Sequence, residues 1–370
     1  MKKIIISSLL GVLLLGNDLA ISNPDVKTAK EIFNNQNSLH DFIVGTKVSY
    51  LKWKANNKVE DYQENNFGSI DYDIGSTLYK TFFIQGIYNG RQVAFSYMRN
   101  RLVNSVKNKT SQFFLGYIDL KGGENPIRLS IEKSDIEGIA NATAATSTNT
   151  DIYGNPIINL PFQTKYLSVE LKYFDKFLFA GNDNNSGNNG TFIGIGYSQY
   201  KMPSLIGMAD PSSGDIVDVF YDPSVRIKNF YMCVGYDTLE ADYYARKTRD
   251  ISDWYFDWKL GLGLQWLSFS DGGRYAENKA HSLGYSKGYD LPMGIALNYK
   301  FDIGYIKEIA KVKKYSLFFQ TGVLLKGIYA GNTVDPTDSN NDDRDPNTAV
   351  IVYDRSDMWY GPFATFSLMF

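Results

Sequence analysis

Residues 360–370 read Y-G-P-F-A-T-F-S-L-M-F and close the chain on phenylalanine. Counted back in twos from the end, one set is Phe370, Leu368, Phe366, Ala364, Pro362 and Tyr360. The other set is Met369, Ser367, Thr365, Phe363 and Gly361. Successive side chains of a strand point to opposite faces. This segment therefore reads as an amphipathic strand with one apolar face and one face that is mostly small or polar.

The same period of two recurs from residue 42 onward. Phe256, Trp258, Leu260, Leu262, Leu264 and Trp266 share one face, against Asp257, Lys259, Gly261, Gly263 and Gln265. Leu291, Met293, Ile295, Leu297, Tyr299, Phe301 and Ile303 alternate with Pro292, Gly294, Ala296, Asn298, Lys300 and Asp302. Ile70, Tyr72 and Ile74 alternate with Asp71 and Asp73, and Leu167, Val169, Leu171 and Tyr173 with Ser168, Glu170 and Lys172. Several runs exceed the 5–6 residues usual for soluble strands and reach the roughly 9–11 that a tilted transmembrane strand needs. Trp258 and Trp266 lie about 26 Å apart along their strand, or about 20 Å along the membrane normal after tilt. Tyr289 and Tyr299 project to about 25 Å. Those separations suit two aromatic girdles around an apolar band.

The amino-terminal segment points to export. Lys2 and Lys3 precede a mostly apolar run from Ile4 to Leu15, too short to span a bilayer as a helix. Residues 1–22 are expected to be a signal peptide, with Ala20-Ile21-Ser22 at the cleavage site. Residues 23–41 read as a short periplasmic helix, tether or plug, and residues 42–370 as one β-barrel. Composition agrees with strands: there are 27 Tyr and 23 Phe but only 11 Pro. A net charge of −2 argues against nucleic acid, which needs a basic stripe. The one cysteine, Cys233, excludes an intrachain disulfide framework.

The chain end resembles the last strand of Gram-negative bacterial outer-membrane β-barrels. That resemblance implies that Phe366, Leu368 and Phe370 form the assembly signal read by the barrel-assembly machinery. It also implies an outer-membrane location among lipid and lipopolysaccharide, with both termini periplasmic. The expected fold is an all-β, transmembrane antiparallel barrel of about 14 strands, with 12–16 possible. The fourteen include short strands at 176–181 and 214–221. Asn89-Gly90 and Gly122-Gly123-Glu124-Asn125 read as tight periplasmic turns. Stretches 55–67, 100–110, 135–164, 182–190, 271–288 and 331–356 read as outer loops.

No constellation for catalysis, cofactor or metal emerges. His281-Ser282-Leu283-Gly284 lacks the serine spacing and the following Asn-Gly of outer-membrane phospholipases. Asp338-x-Asn340-x-Asp342 begins like a calcium loop, but Asp343 replaces the required glycine and Ala349 the bidentate glutamate. The polar strand face carries the remaining functional expectation. If the apolar face meets lipid, Asp71, Asp73, Glu170, Lys172, Asp257, Lys259, Asn298, Lys300 and Asp302 point into the lumen. Lys47, Arg128, Glu132, Gln265, Gln320 and Lys326 join them. Mixed signs imply a weakly selective passage for small hydrophilic solutes, in a monomer or homo-oligomer. A surface-exposed structural or adhesion-type barrel, and a plugged barrel for hydrophobic compounds, are the alternatives.

Overall fold

The computed structural model describes residues 41–61, 65–88, 91–100, 110–119, 127–142, 160–174, 191–237, 252–269, 271–291, 293–312, 315–331 and 345–369. The signal segment, residues 23–40, the 176–181 stretch, most of the Asp335–Asp345 loop and Phe370 lie outside them.

Twelve strands close into one antiparallel ring. They are β1 (Asp41–Glu60), β2 (Asn66–Tyr88), β3 (Arg91–Asn100), β4 (Thr110–Asp119), β5 (Ile127–Ala142), β6 (Leu160–Phe174), β7 (Thr191–Ala209), β8 (Ile216–Tyr236), β9 (Ser252–Ser268), β11 (Gly294–Val312), β12 (Tyr315–Gly331) and β14 (Asp354–Met369). Neighbours in sequence pair around the ring, and β14 seals it against β1, with Ile43 opposite Met369 and Lys58 opposite Asp354. Two short strands, β10 (Tyr289–Asp290) and β13 (Ala349–Val352), lie outside the ring, with β13 paired to the end of β7. A helix, α1 (Gly272–Ser282), follows β9. Closure leaves no unpaired sheet edge in lipid, which is what a spanning sheet requires.

The count is thus twelve rather than fourteen, within the expected range. The 214–221 and 227–238 segments form one continuous strand, β8, bent at Pro223 instead of turned. With no turn intervening, β6 ends and β7 begins at the end of the barrel where β1 starts and β14 stops. The 182–190 stretch, expected as an outer loop, lies outside the described residues. The 271–288 region is not a plain loop, since it contains α1. Its opening Gly-Gly gives no helical signal, and Ala276 and Ala280 are held by burial. Tyr289 sits in β10 beside Ala349, outside the ring, so it does not pair with Tyr299 as a girdle.

Most strands run 15–23 residues, well beyond the roughly 9–11 needed to cross a bilayer. Strands β1, β2, β5 and β6 divide into two zones of opposite polarity. Near the termini Val48, Tyr50, Phe82, Ile84, Met232, Leu262 and Phe366 are exposed on the outside, while Lys47, Ser49, Gln85, Lys259 and Asn298 line the inside. Farther up, the outside carries Lys54, Lys58 and Asp71, and the inside carries buried Trp53, Ala55, Val59, Ile70, Tyr72 and Ile74. The lower zone suits lipid outside, and the upper zone has the inside-apolar order of a water-soluble domain.

Candidate functional site: a charged chamber beneath an apolar cap

The ring narrows toward the top. β3 and β4 stop at Asn100 and Thr110, and above them β2 pairs directly with β5, Ile70 opposite Ala142 and Asp73 opposite Ile139. On the far side the β7–β8 hairpin closes what remains. Its ladder is interrupted between Met202–Val225 and Ser204–Asp222, where Pro203 and Pro223 sit. Proline donates no backbone hydrogen bond and is tolerated at such irregularities. Beyond this bend every residue from Met202 to Ala209 is buried.

The bent tip packs against the inner wall of β1 and β2. Tyr72 donates from its hydroxyl to the Pro203 carbonyl at 2.7 Å, and the Leu205 amide donates to the Asn57 side chain. The Gly207 backbone comes so near that a Cβ there would lie 2.4 Å from Val59 Cγ1. Leu205, Ile206 and Met208 fill the mouth with Trp53, Tyr79 and Tyr353, all at most 1 % exposed. β13 and α1 complete the cap, and Tyr275 packs its ring 4.9 Å from Phe220.

Two charges outside the membrane zone feel this cap. Asp222 accepts from the Ser224 amide at 2.7 Å, yet burial pushes its carboxyl above the usual carboxylate range. On the loop surface, the hydrogen bond from Lys287 holds the Asp345 carboxyl at about 2.

Below the cap lies a chamber of about 500 Å³. Its wall brings together most of the lumenal residues expected from alternation. Glu170 is the centre of one cluster: Lys259 Nζ lies at 2.5 Å, Lys172 Nζ at 3.3 Å, and Tyr231 donates at 3.0 Å. Arg128 pairs with Asp237 at 3.1 Å, and Lys172 lies 3.9 Å from the same carboxylate. A second cluster joins Lys326 to Glu132 at 2.8 Å, with Gln112 also donating to Glu132. A third runs from Gln320 through the Tyr255 hydroxyl, at 2.8 Å, to Asp302 at 3.1 Å. Lys47 places its ammonium 3.5 Å from the centre of the Phe363 ring. Asp257, Asn298 and Lys300 line the same space.

Asp71 is a correction. It is exposed on the outer face and accepts from the Asn56 amide. A bulge between Ser76 and Asp73, opposite Lys52 and Lys54, reverses the faces of β2 there, and the segment belongs to the upper zone, where apolar residues point inward. Asp73 pairs through its backbone with Lys54 and Ile139, and its side chain lies outside the described residues. Asp237, Tyr231, Tyr255 and Gln112 were not anticipated. Tyr231 and Tyr255 share the inward parity of Cys233 and Asp257, so alternation contained the signal. Asp237 lies just past the end of β8, where alternation gives none. At the chain end Phe366 and Leu368 have outward parity, and Phe366 is 49 % exposed.

No protein-family model matches the sequence, and no curated protein matches it. Similar solved structures include the outer membrane protease OmpT from Escherichia coli, 8 % identical over 90 % of this chain and 99 % of that one, with a TM-score of 0.29. A Pseudomonas aeruginosa FadL homologue is 9 % identical over 90 % of each chain, at 0.29. The beta domain of the Bordetella autotransporter BrkA is 10 % identical over 86 % of this chain and 98 % of its own, at 0.27. Likenesses at this level assign no activity, cargo or partner. By its own architecture the chain is a twelve-stranded β-barrel of the outer-membrane type, with a charged chamber inside and an apolar cap above.

Proposed function

We propose that this barrel resides in the Gram-negative outer membrane, termini in the periplasm, and passes small hydrophilic solutes through the charged chamber, with the β7–β8 tip acting as its gate. The carrying observation is the inversion of polarity along β1, β2, β5 and β6. An interior that holds Glu170, Lys172, Lys259 and Lys300 at the level of the apolar outer belt is costly unless it hosts polar cargo or serves as scaffold. In this reading the protein is not an enzyme. Lipid and lipopolysaccharide surround it, with homo-oligomers as a further option, and the assembly machinery reads Phe366, Leu368 and Phe370.

The buried cap favours a second reading, in which the barrel is a closed surface or structural element, or conveys hydrophobic compounds past the cap. Planar-bilayer recording separates these. The gated conduit predicts rare small openings for the intact chain and larger, frequent, salt-proportional ones when residues 204–215 are replaced by a short Gly-Ser turn. A folded variant without the tip that stays silent would overturn the conduit.

A further inference from the structure

Lys259, Lys300 and Lys326 occupy directly opposed positions on three adjacent strands. Lys300 of β11 faces Lys259 of β9 on one side and Lys326 of β12 on the other. All three line the chamber. Like charges directly opposite in a sheet repel, so such a row needs countercharge.

Among the described residues, carboxylates in direct ion-pair contact stand only at the flanks. Lys259 has Glu170 at 2.5 Å, and Lys326 has Glu132 at 2.8 Å. Lys300, in the middle, has no carboxylate within 4.0 Å among the described residues, and Asp237, Asp302 and Asp257 act on it only from farther away. Lys47 reaches the same region from β1, also without an ion pair among the described residues, and is close enough to sense Lys300, Lys326 and Asp302. One inward position from Lys300, Asn298 is 4 % exposed, and its amide nitrogen meets no acceptor among the described residues. A buried donor left unmatched costs free energy unless something fills it.

Two ammonium groups without an ion pair among the described residues, Lys300 and the Lys47 that rests on the Phe363 ring, and one unmatched amide donor thus face a cavity whose volume lies in the range of small-molecule sites. We infer that this row is a subsite for the oxyanion group of a small solute, a carboxylate or a phosphate, held by Lys300 with Lys47 and Asn298 beside it. Such oxygens accept charge-assisted hydrogen bonds from all three donors, and their charge relieves the repulsion along the row. The inference rests on the reading of the chamber as a solute site, and gives that solute a sign and a functional group.

Isothermal titration of the full barrel folded in detergent, with inorganic phosphate and separately with succinate, tests it. Saturable binding of at least one probe is expected. Lys300→Gln weakens it about tenfold, as the loss of one charge-assisted hydrogen bond gives. Lys300→Arg retains it within about threefold because the charge persists, and Lys80→Gln, on the outer surface, leaves it unchanged. Removing one of three like charges does not threaten the fold, and heat-modified gel migration verifies that the variant is folded. Absence of binding by both probes, or equal binding by wild type and Lys300→Gln, overturns the subsite. Conductance recorded on the same preparations separates the two ideas. A conducting barrel without anion binding sinks the subsite and leaves the conduit. A silent barrel that binds anions through Lys300 sinks the conduit and leaves the subsite.

Discussion

The Tyr72 hydroxyl, on the wall of the barrel, donates to the carbonyl of Pro203, on the hairpin that covers its mouth, across 2.7 Å. The bond is buried and joins residues 131 apart in sequence. It satisfies a carbonyl at the place where proline interrupts the ladder.

Tyr72→Phe keeps the ring and deletes the donor, so the Pro203 carbonyl is left buried and unmatched. The expected loss is about 1–3 kcal/mol, concentrated in the cap. Proteinase K should cut within residues 204–215 faster than in the wild type, while the rest of the barrel keeps its protection.

Gly207→Ala tests the same closure from the other side. The new methyl would fall 2.4 Å from Val59 Cγ1, in a pocket where Val59 is fully buried. Overpacking of this kind costs about 1–3 kcal/mol. Adding Val59→Ala should recover a large part of it, a coupling that a double-mutant cycle of thermal midpoints measures directly.

Glu170→Gln leaves Lys172 and Lys259 facing each other without their shared carboxylate, both largely buried. Breaking a buried pair costs about 3–5 kcal/mol. Glu60→Gln, which loses the exposed contact to Lys58, should stay within about 1 kcal/mol. Urea midpoints in detergent compare the two, and equal shifts would refute the burial argument.

Acid should strengthen the contribution of Asp222. Its folded pKa is raised, so its stabilising contribution is complete below the ordinary carboxylate value of about 4 and is lost as pH rises through the folded value. Asp222→Asn, which can still accept from Ser224, should therefore protect the cap at pH 7 and lose its advantage near pH 4. Asp345 behaves oppositely: its depressed pKa gives stability that is present above about 4 and fades toward about 2. Cap proteolysis followed against pH in the two asparagine variants separates these signs.

Phe366→Arg places a charge on the outer face of β14, where the ring is 49 % exposed. In a bilayer this costs about 2–4 kcal/mol near the midplane and much less toward the interfaces. In detergent-free aqueous buffer the same change should instead raise solubility. If lipid-vesicle stability is unaffected, the apolar belt does not lie where proposed.

The barrel wall was legible in the sequence because lipid outside and polar groups inside impose a period of two that survives residue by residue, as at Trp258–Lys259–Leu260. The chamber residues Glu170, Lys172, Lys259, Lys300 and Asp302 followed from that period alone. The cap did not. In β1 the apolar set passes from Val48 and Tyr50 to Leu51, Trp53 and Ala55 without a turn, because the solvent on the two faces exchanges while the backbone continues. In β2 a bulge adds a second reversal, which carried Asp71 to the outside. The Pro203 and Pro223 bend looked like a place to divide strands, although only the partner ladder distinguishes a bend from a turn.

The early stop of β3 and β4 makes the molecule a stepped cylinder, twelve strands wide at its base and ten above the step. Asn100 and Thr110, where β3 and β4 meet the step, therefore form a shoulder on the side of the cylinder, below its rim, with the Thr110 amide donating to the Asn100 side chain. A peptide tag or antibody epitope grafted at that shoulder would project sideways from the barrel wall, apart from the cap.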